Sequence, residues 1–148
     1  MPLQGTYATH STEWVRTQID TILETGTTAS VDIRGRDVVM VTMHAKEPGV
    51  LRRIPLMRVE HDGVYAIVAS VGGAPKHPRW YYNLKRDPHV ELQDGTETAD
   101  FVAREVSGDE KALWWERAVA AYPDYAAYQR KTEREIPVFV LEPVDKEH

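Results

Sequence analysis

The chain of 148 residues contains no cysteine. That absence excludes disulfides, thiolate metal sites and cysteine nucleophiles, and makes a reducing cytosol the expected setting. Histidine is present but unpatterned. His10, His44, His61, His77, His89 and His148 show no ligand-pair spacing and no metalloprotease-type helix, so no metal site is expected. No apolar run approaches the roughly 20 residues needed to span a bilayer. The first residues, MPLQGTYATHSTEW, lack the basic and apolar segments of a signal peptide. The expectation is a cytoplasmic protein, free or peripheral to the membrane, with no integral membrane segment. The nucleophile elbow of serine hydrolases, the P-loop and the dinucleotide-binding glycine fingerprint are also missing. There is no internal repeat or low-complexity tract, and the length fits a single domain, 1–148.

What is present begins with an uneven charge. Between Lys46 and Arg86 eight basic residues face three acidic ones, a net of +5, which leaves −10 for the rest of a chain of net charge −5. A local excess in an acidic chain points to a small anionic ligand and not to nucleic acid; a solvated basic face without a partner is the plain alternative.

Hydrophobic spacing places the elements. Thr12 to Glu24 carries Trp14, Val15, Ile19, Ile22 and Leu23 on one helix face, with Ser11 or Thr12 as cap and Gly26 at the stop. This arm, 1–28, is expected to cover one mouth of the core that spans 37–143. Strands are expected over Asp37–Met43 and Arg52–Val59, the second forming a hairpin with Tyr65–Ser70 through Asp62-Gly63. Gly72-Gly73 follow, then a helix from Arg79 that ends before Pro88. A further hairpin turns at Asp94-Gly95. Ser107 and Glu110 read as a capping box for a helix packed through Leu113, Trp114, Arg117, Ala118 and Ala121. A helix from Asp124 to Glu133 and a last strand over Ile136–Leu141 complete the chain. Successive hairpins with few helices argue for an antiparallel sheet curled into a small barrel, a mainly β member of the α+β class.

The constellation left to carry chemistry is basic and aromatic. Lys46, Arg52 and Lys76 flank the glycine turn, Trp80 and Tyr81 offer flat rings, and Tyr122, Tyr125 and Tyr128 bring three hydroxyls close together in sequence. Rings beside positive charges suit a planar, phosphate-bearing cofactor. Core filling is the competing account of the aromatics.

Two stretches resemble a known family. Val68-Ala69-Ser70, Gly72-Gly73-Ala74, Lys76, Pro78, Trp80-Tyr81 and Asn83-Leu84 are similar to the signature of the deazaflavin-dependent nitroreductases, actinobacterial reductases that use coenzyme F420. The likeness runs from Val38 to Pro143. Lys46, Gly49, Arg52, Pro55 and Leu56 match the family's phosphate- and tail-binding turn, with Glu47-Pro48 standing where a hydroxyl residue is usual. Tyr122, Tyr125 and Tyr128 match its tyrosine cluster beside the reacting ring.

The resemblance implies a split β-barrel of about six antiparallel strands with flanking helices. It also implies hydride transfer from reduced F420 to a small, hydrophobic, electron-poor acceptor: an activated alkene or unsaturated lactone, a quinone or a nitro compound. The cofactor is expected on Lys46, Arg52, Pro55, Leu56, Val68, Ala69, Ser70, Val71, Gly72, Lys76, Arg79, Trp80, Tyr81, Asn83 and Tyr125. Catalysis is expected from Tyr125 with Tyr122, Tyr128 and Ser70. A split-barrel oxidoreductase using flavin mononucleotide, or a non-catalytic deazaflavin carrier, would share much of this pattern.

Overall fold

A computed structural model describes residues 3–10, 12–33, 35–70 and 76–144. Ser11, Val71, Gly72, Gly73, Ala74 and His148, singled out above, lie outside the described residues. One sheet organises the rest. Its strands are β1 (Thr6–Tyr7), β2 (Val38–His44), β3 (Val50–Met57), β4 (Glu60–His61), β5 (Val64–Val68), β6 (His89–Asp94), β7 (Glu97–Glu105) and β8 (Val138–Pro143). The hydrogen-bonded order is β1-β3-β2-β6-β7-β8-β5-β4. Since β3 and β4 are joined only by Arg58 and Val59 yet stand near opposite ends of that order, the sheet must curl back on itself. This is a split β-barrel: six strands of five or more residues, plus two of two residues each. Every pairing is antiparallel except the short β1–β3 contact, which the sequence pattern did not suggest.

Alternation along the strands shows why the barrel has an inner core and two outer ones. On β2, Val39, Val41 and Met43 face the barrel interior, while Met40 faces helix α1 (Glu13–Thr25) and packs with its Val15, Ile19 and Ile22. A strand apolar on both faces therefore sits between two hydrophobic layers. On β5 and β8, Ile67, Phe139 and Leu141 point inward with Trp80 and Leu84 of helix α2 (Arg79–Arg86). Ala66, Val68, Val138 and Val140 point outward, under Trp114 and Ala118 of helix α3 (Gly108–Ala121) and Tyr125 of helix α4 (Asp124–Lys131). Emptying such a site, as in Phe139→Ala, costs about 3–5 kcal/mol. No helix among the described residues is long and apolar enough to cross a membrane.

Several expectations are corrected. The Asp62-Gly63 turn exists, with both residues at positive φ (53° and 81°), but it joins β5 to the two-residue β4 and not to the long strand before it. That strand ends at Met57 and pairs with β2, because the chain turns a corner where the Arg58 N–H donates to the Asp37 carbonyl. The capping box does not form: Ser107 makes no side-chain cap bond, and Glu110 instead takes a two-pronged ion pair from Arg104 at 2.8 Å. A charge-assisted fork outcompetes a neutral cap. Leu113, Trp14 and Leu23 are exposed, not packed. Thr12 caps α1 by backbone position without a side-chain bond, while Gly26 does terminate it in the left-handed region (φ 80°). α4 stops at Lys131 and β8 begins only after Pro137.

Candidate functional site

A cavity of about 580 Å³ opens where β3, the chain leaving β5, α2 and the α3–α4 junction converge, with the N-terminal arm along one side. β3 runs its length as a ruler. Arg52 lies towards one end; Met57, five residues on and therefore about 16 Å away along a strand, packs against Tyr122 and Tyr125. Cations and tyrosines thus occupy opposite ends of one slot.

At the cationic end stand Arg52 and Arg53 of β3, Arg79 of α2 and His10 of the arm. The Arg53 guanidinium lies 3.8 Å over the Tyr7 ring. His10 Nδ1 accepts from the Thr12 N–H at 3.0 Å, which leaves the neutral ring's proton on Nε2. Burial, then the charges of Arg52, Arg16 and Arg79, hold the His10 imidazole below its ordinary value. Arg52, Arg53 and Arg79 make this end of the cavity basic and suited to an anion.

Between the ends the walls are flat and apolar: Ile54, Pro55, Leu56, Val68 and the Trp80 ring, with Pro78, Asn83 and buried Ser70 alongside. Pro78 caps α2, and the helix ends where the Asp87 N–H returns to the Asn83 carbonyl just before Pro88. The spacing of Trp80 and Asn83 on that helix carries both side chains to the cavity. Asn83 Oδ1 is held by Arg86 at 2.6 Å.

At the far end Tyr122, Tyr125 and Tyr128 form an edge-to-face trio, with ring centroids 5.0, 6.0 and 6.2 Å apart. Tyr122 belongs to the end of α3 and not to the helix of the other two, so two successive helices build the cluster. The Tyr122 and Tyr128 hydroxyls share a 2.9 Å hydrogen bond. Burial pushes the Tyr125 hydroxyl well above its ordinary value, reinforced by Tyr122 and Tyr128. Tyr122 is raised too, by burial and then by its bonds to Tyr128 and Asp124.

Of the residues singled out in the sequence, Arg52, Pro55, Leu56, Val68, Ser70, Arg79, Trp80, Asn83, Tyr122, Tyr125 and Tyr128 line this one cavity. Lys46 and Lys76 do not; both are exposed in turns. Ala69 faces the barrel core. Tyr81 packs on Phe139 and stacks on His77 instead of lining the slot. Val71 and Gly72 lie outside the described residues. The sequence reading missed His10, Trp14, Val15, Ile33, Met43, Arg53, Ile54, Met57 and Pro78. Only the doubled arginine at 52–53 carried a local signal.

A family model described as F420H(2)-dependent quinone reductase matches residues 14–143. A putative F420H(2)-dependent quinone reductase of Mycobacterium tuberculosis is 38% identical over 89 residues, 60% of this chain and 75% of that protein. A solved structure described as an F420-H2 dependent reductase is 53% identical with a TM-score of 0.68, over 71% of this chain and 93% of that one. Another, described as a domain-swapped dimer, is 51% identical with a TM-score of 0.72, over 90% and 100%.

Proposed function

The chain belongs to the F420H(2)-dependent quinone reductase family, and from that premise we propose that the cavity described above seats the deazaflavin beside an electron-poor acceptor. The protein is an F420H2-dependent oxidoreductase. The donor set fits the cofactor: an apolar slot for a flat ring, a cluster of arginines for phosphate and acidic tail, and hydroxyls beyond the ring. When bound, reduced F420 supplies the hydride.

The chain's own residues supply the rest. Arg52 and Arg79, with the Nε2–H of His10, bind the anionic end through charge-assisted hydrogen bonds. Leu56, Val68 and Trp80 hold the ring plane and exclude water from the transfer, and Ser70 and Asn83 offer polar atoms at its edge. Reduction of a quinone, activated alkene or nitro group also needs a proton. Tyr125 stays protonated across the neutral range because burial disfavours its anion. It is the donor placed to polarise the acceptor oxygen and pass on a proton. Tyr122 and Tyr128, tied to each other, shape the acceptor's side of the cavity.

The observation that carries this reading is the ruler of β3, which separates the anion-binding end from the tyrosines within one continuous slot. The test is turnover: purified protein with F420H2 and a simple naphthoquinone should regenerate the oxidised-deazaflavin absorbance, and NADH should not replace the deazaflavin. Absence of turnover with quinone, enone and nitroarene acceptors alike would overturn the acceptor assignment.

A further inference from the structure

Arg134 lies in the turn between α4 and β8 and does not line the cavity. Gln129 of α4 fixes that turn from both sides. Its Nε2 donates to the Arg134 carbonyl at 2.8 Å, and its Oε1 accepts from the Ile136 N–H at 3.0 Å. So held, the guanidinium spans two other segments. Nη2 donates to the Ser70 carbonyl at 2.8 Å, and Nη1 meets His77 Nδ1 at 3.1 Å. A guanidinium only donates, so Nδ1 accepts and neutral His77 carries its proton on Nε2. The His77 ring stacks on Tyr81 of α2, with centroids 4.2 Å apart and planes 24° apart, and stands edge-on to Tyr82 at 6.1 Å.

We infer that Arg134 is a positioning residue: through Ser70 and His77 it holds the chain leaving β5 and the start of α2 in register with the tyrosine-bearing helix. The inference rests on the reading of the cavity as the cofactor site. Ser70, Trp80 and Asn83 line the cavity from the two segments that Arg134 joins, and Tyr125 and Tyr128 line it from the helix to which Gln129 ties Arg134. A planar fork meets two acceptors at a fixed separation; a lysine ammonium, a flexible point charge, does not. His77 is the sensitive member of the clamp. Arg134, Glu105, Tyr81 and Tyr82 are the charged and titratable groups that face it. On protonation Nδ1 becomes a donor aimed at a cation, and the contact turns repulsive. Burial, then the charge of Arg134, already disfavours that state.

The test is a titration of oxidised F420 followed by tryptophan emission, with ligand-free melting measured for each variant. Arg134→Lys and His77→Phe, the latter keeping the stack on Tyr81 but not the acceptor, should each weaken binding about ten-fold, as expected for loss of a hydrogen bond to a charged group. His77→Asn, whose Oδ1 can stand in for Nδ1, should bind near wild type. As pH falls through the His77 titration, wild-type affinity should weaken relative to His77→Asn; the protonation of His10 is common to both proteins and drops out of the comparison. Equal binding by all four proteins, or losses that only track lowered melting temperature, overturns the inference and leaves the functional reading intact. Failure of the wild type to bind F420 overturns both.

Discussion

The hydroxyls of Tyr122 and Tyr128 are 2.9 Å apart, a hydrogen bond between two rings that each stand edge-to-face with the Tyr125 ring. One hydroxyl donates and the other accepts, and Tyr122 also bonds to Asp124. No described side chain or backbone group hydrogen-bonds to the Tyr125 hydroxyl, although the ring is buried at the cavity wall. The hydroxyl is not itself a buried unpartnered atom: Tyr125 lines the cavity, where water or a ligand can pair it.

Tyr125→Phe should therefore leave folding and cofactor affinity near wild type and lower turnover about 100-fold, the low end for a positioned general acid. Tyr128→Phe should behave differently, costing stability because Tyr122 loses one of its two partners and keeps only Asp124. Steady-state kinetics set beside thermal melting separate the two. A rise in KM alone in Tyr125→Phe would assign its hydroxyl to acceptor binding.

At the other end of the slot, Arg52→Ala should cost about 1.5–3 kcal/mol of cofactor binding, as for a charged hydrogen bond. Added salt should weaken wild-type binding, because the half-buried arginine is partly screened. Lys46→Ala should cost much less, since Lys46 is exposed and does not line the cavity. Binding titrations at two ionic strengths decide. Equal losses at both positions would move the phosphate out to the turn that carries Lys46.

A third expectation concerns the wall of the barrel away from the site. Asp94 receives the Tyr65 hydroxyl and the Arg58 Nε, bridging β5, β6 and the corner after β3. Burial, then the bond to Asp94 and its charge, pushes the Tyr65 hydroxyl from its ordinary 10.0 up to about 12. The folded pKa is the higher one, so this stabilisation is complete below the unfolded value and is lost as pH rises through about 12. Tyr65→Phe should lose about 1 kcal/mol at neutral pH, a value discounted for partial exposure. It should also fall less steeply than wild type in alkali. Some slope must remain, because Tyr122 and Tyr125 are raised as well. Chemical denaturation at neutral and alkaline pH reads both effects; parallel pH curves would contradict the assignment.

Much of this was legible in the chain because local chemistry and tertiary need agree. Pro78 and Pro88 bound α2, so the placement of Trp80 and Asn83 followed from a helix of known start and stop. The apolar run of β2 anticipated a strand buried on both faces. Three tyrosines spaced at 122, 125 and 128 met as expected, although a helix end and not a single helix brings them together. The misses arise where contacts between elements decided the outcome. His10 and Trp14 reach the cavity only because the arm folds across it, with β1 pairing in parallel on β3. Arg104, at the end of β7, drew Glu110 away from its cap, and the Arg58 N–H bond to the Asp37 carbonyl turned the chain out of β3. Neither partner is visible from within its own segment.

The most direct measurement is cofactor binding followed by tryptophan emission. Trp14 and Trp80 line the slot and Trp115 lies beside Tyr125, whereas Trp114 is buried under the outer face of β5 and β8. Oxidised F420 should give a saturable quench that is clearly reduced in Trp80→Phe, and flavin mononucleotide should give little or none at the same concentrations. Tight binding of flavin mononucleotide with no response to F420 would contradict the account.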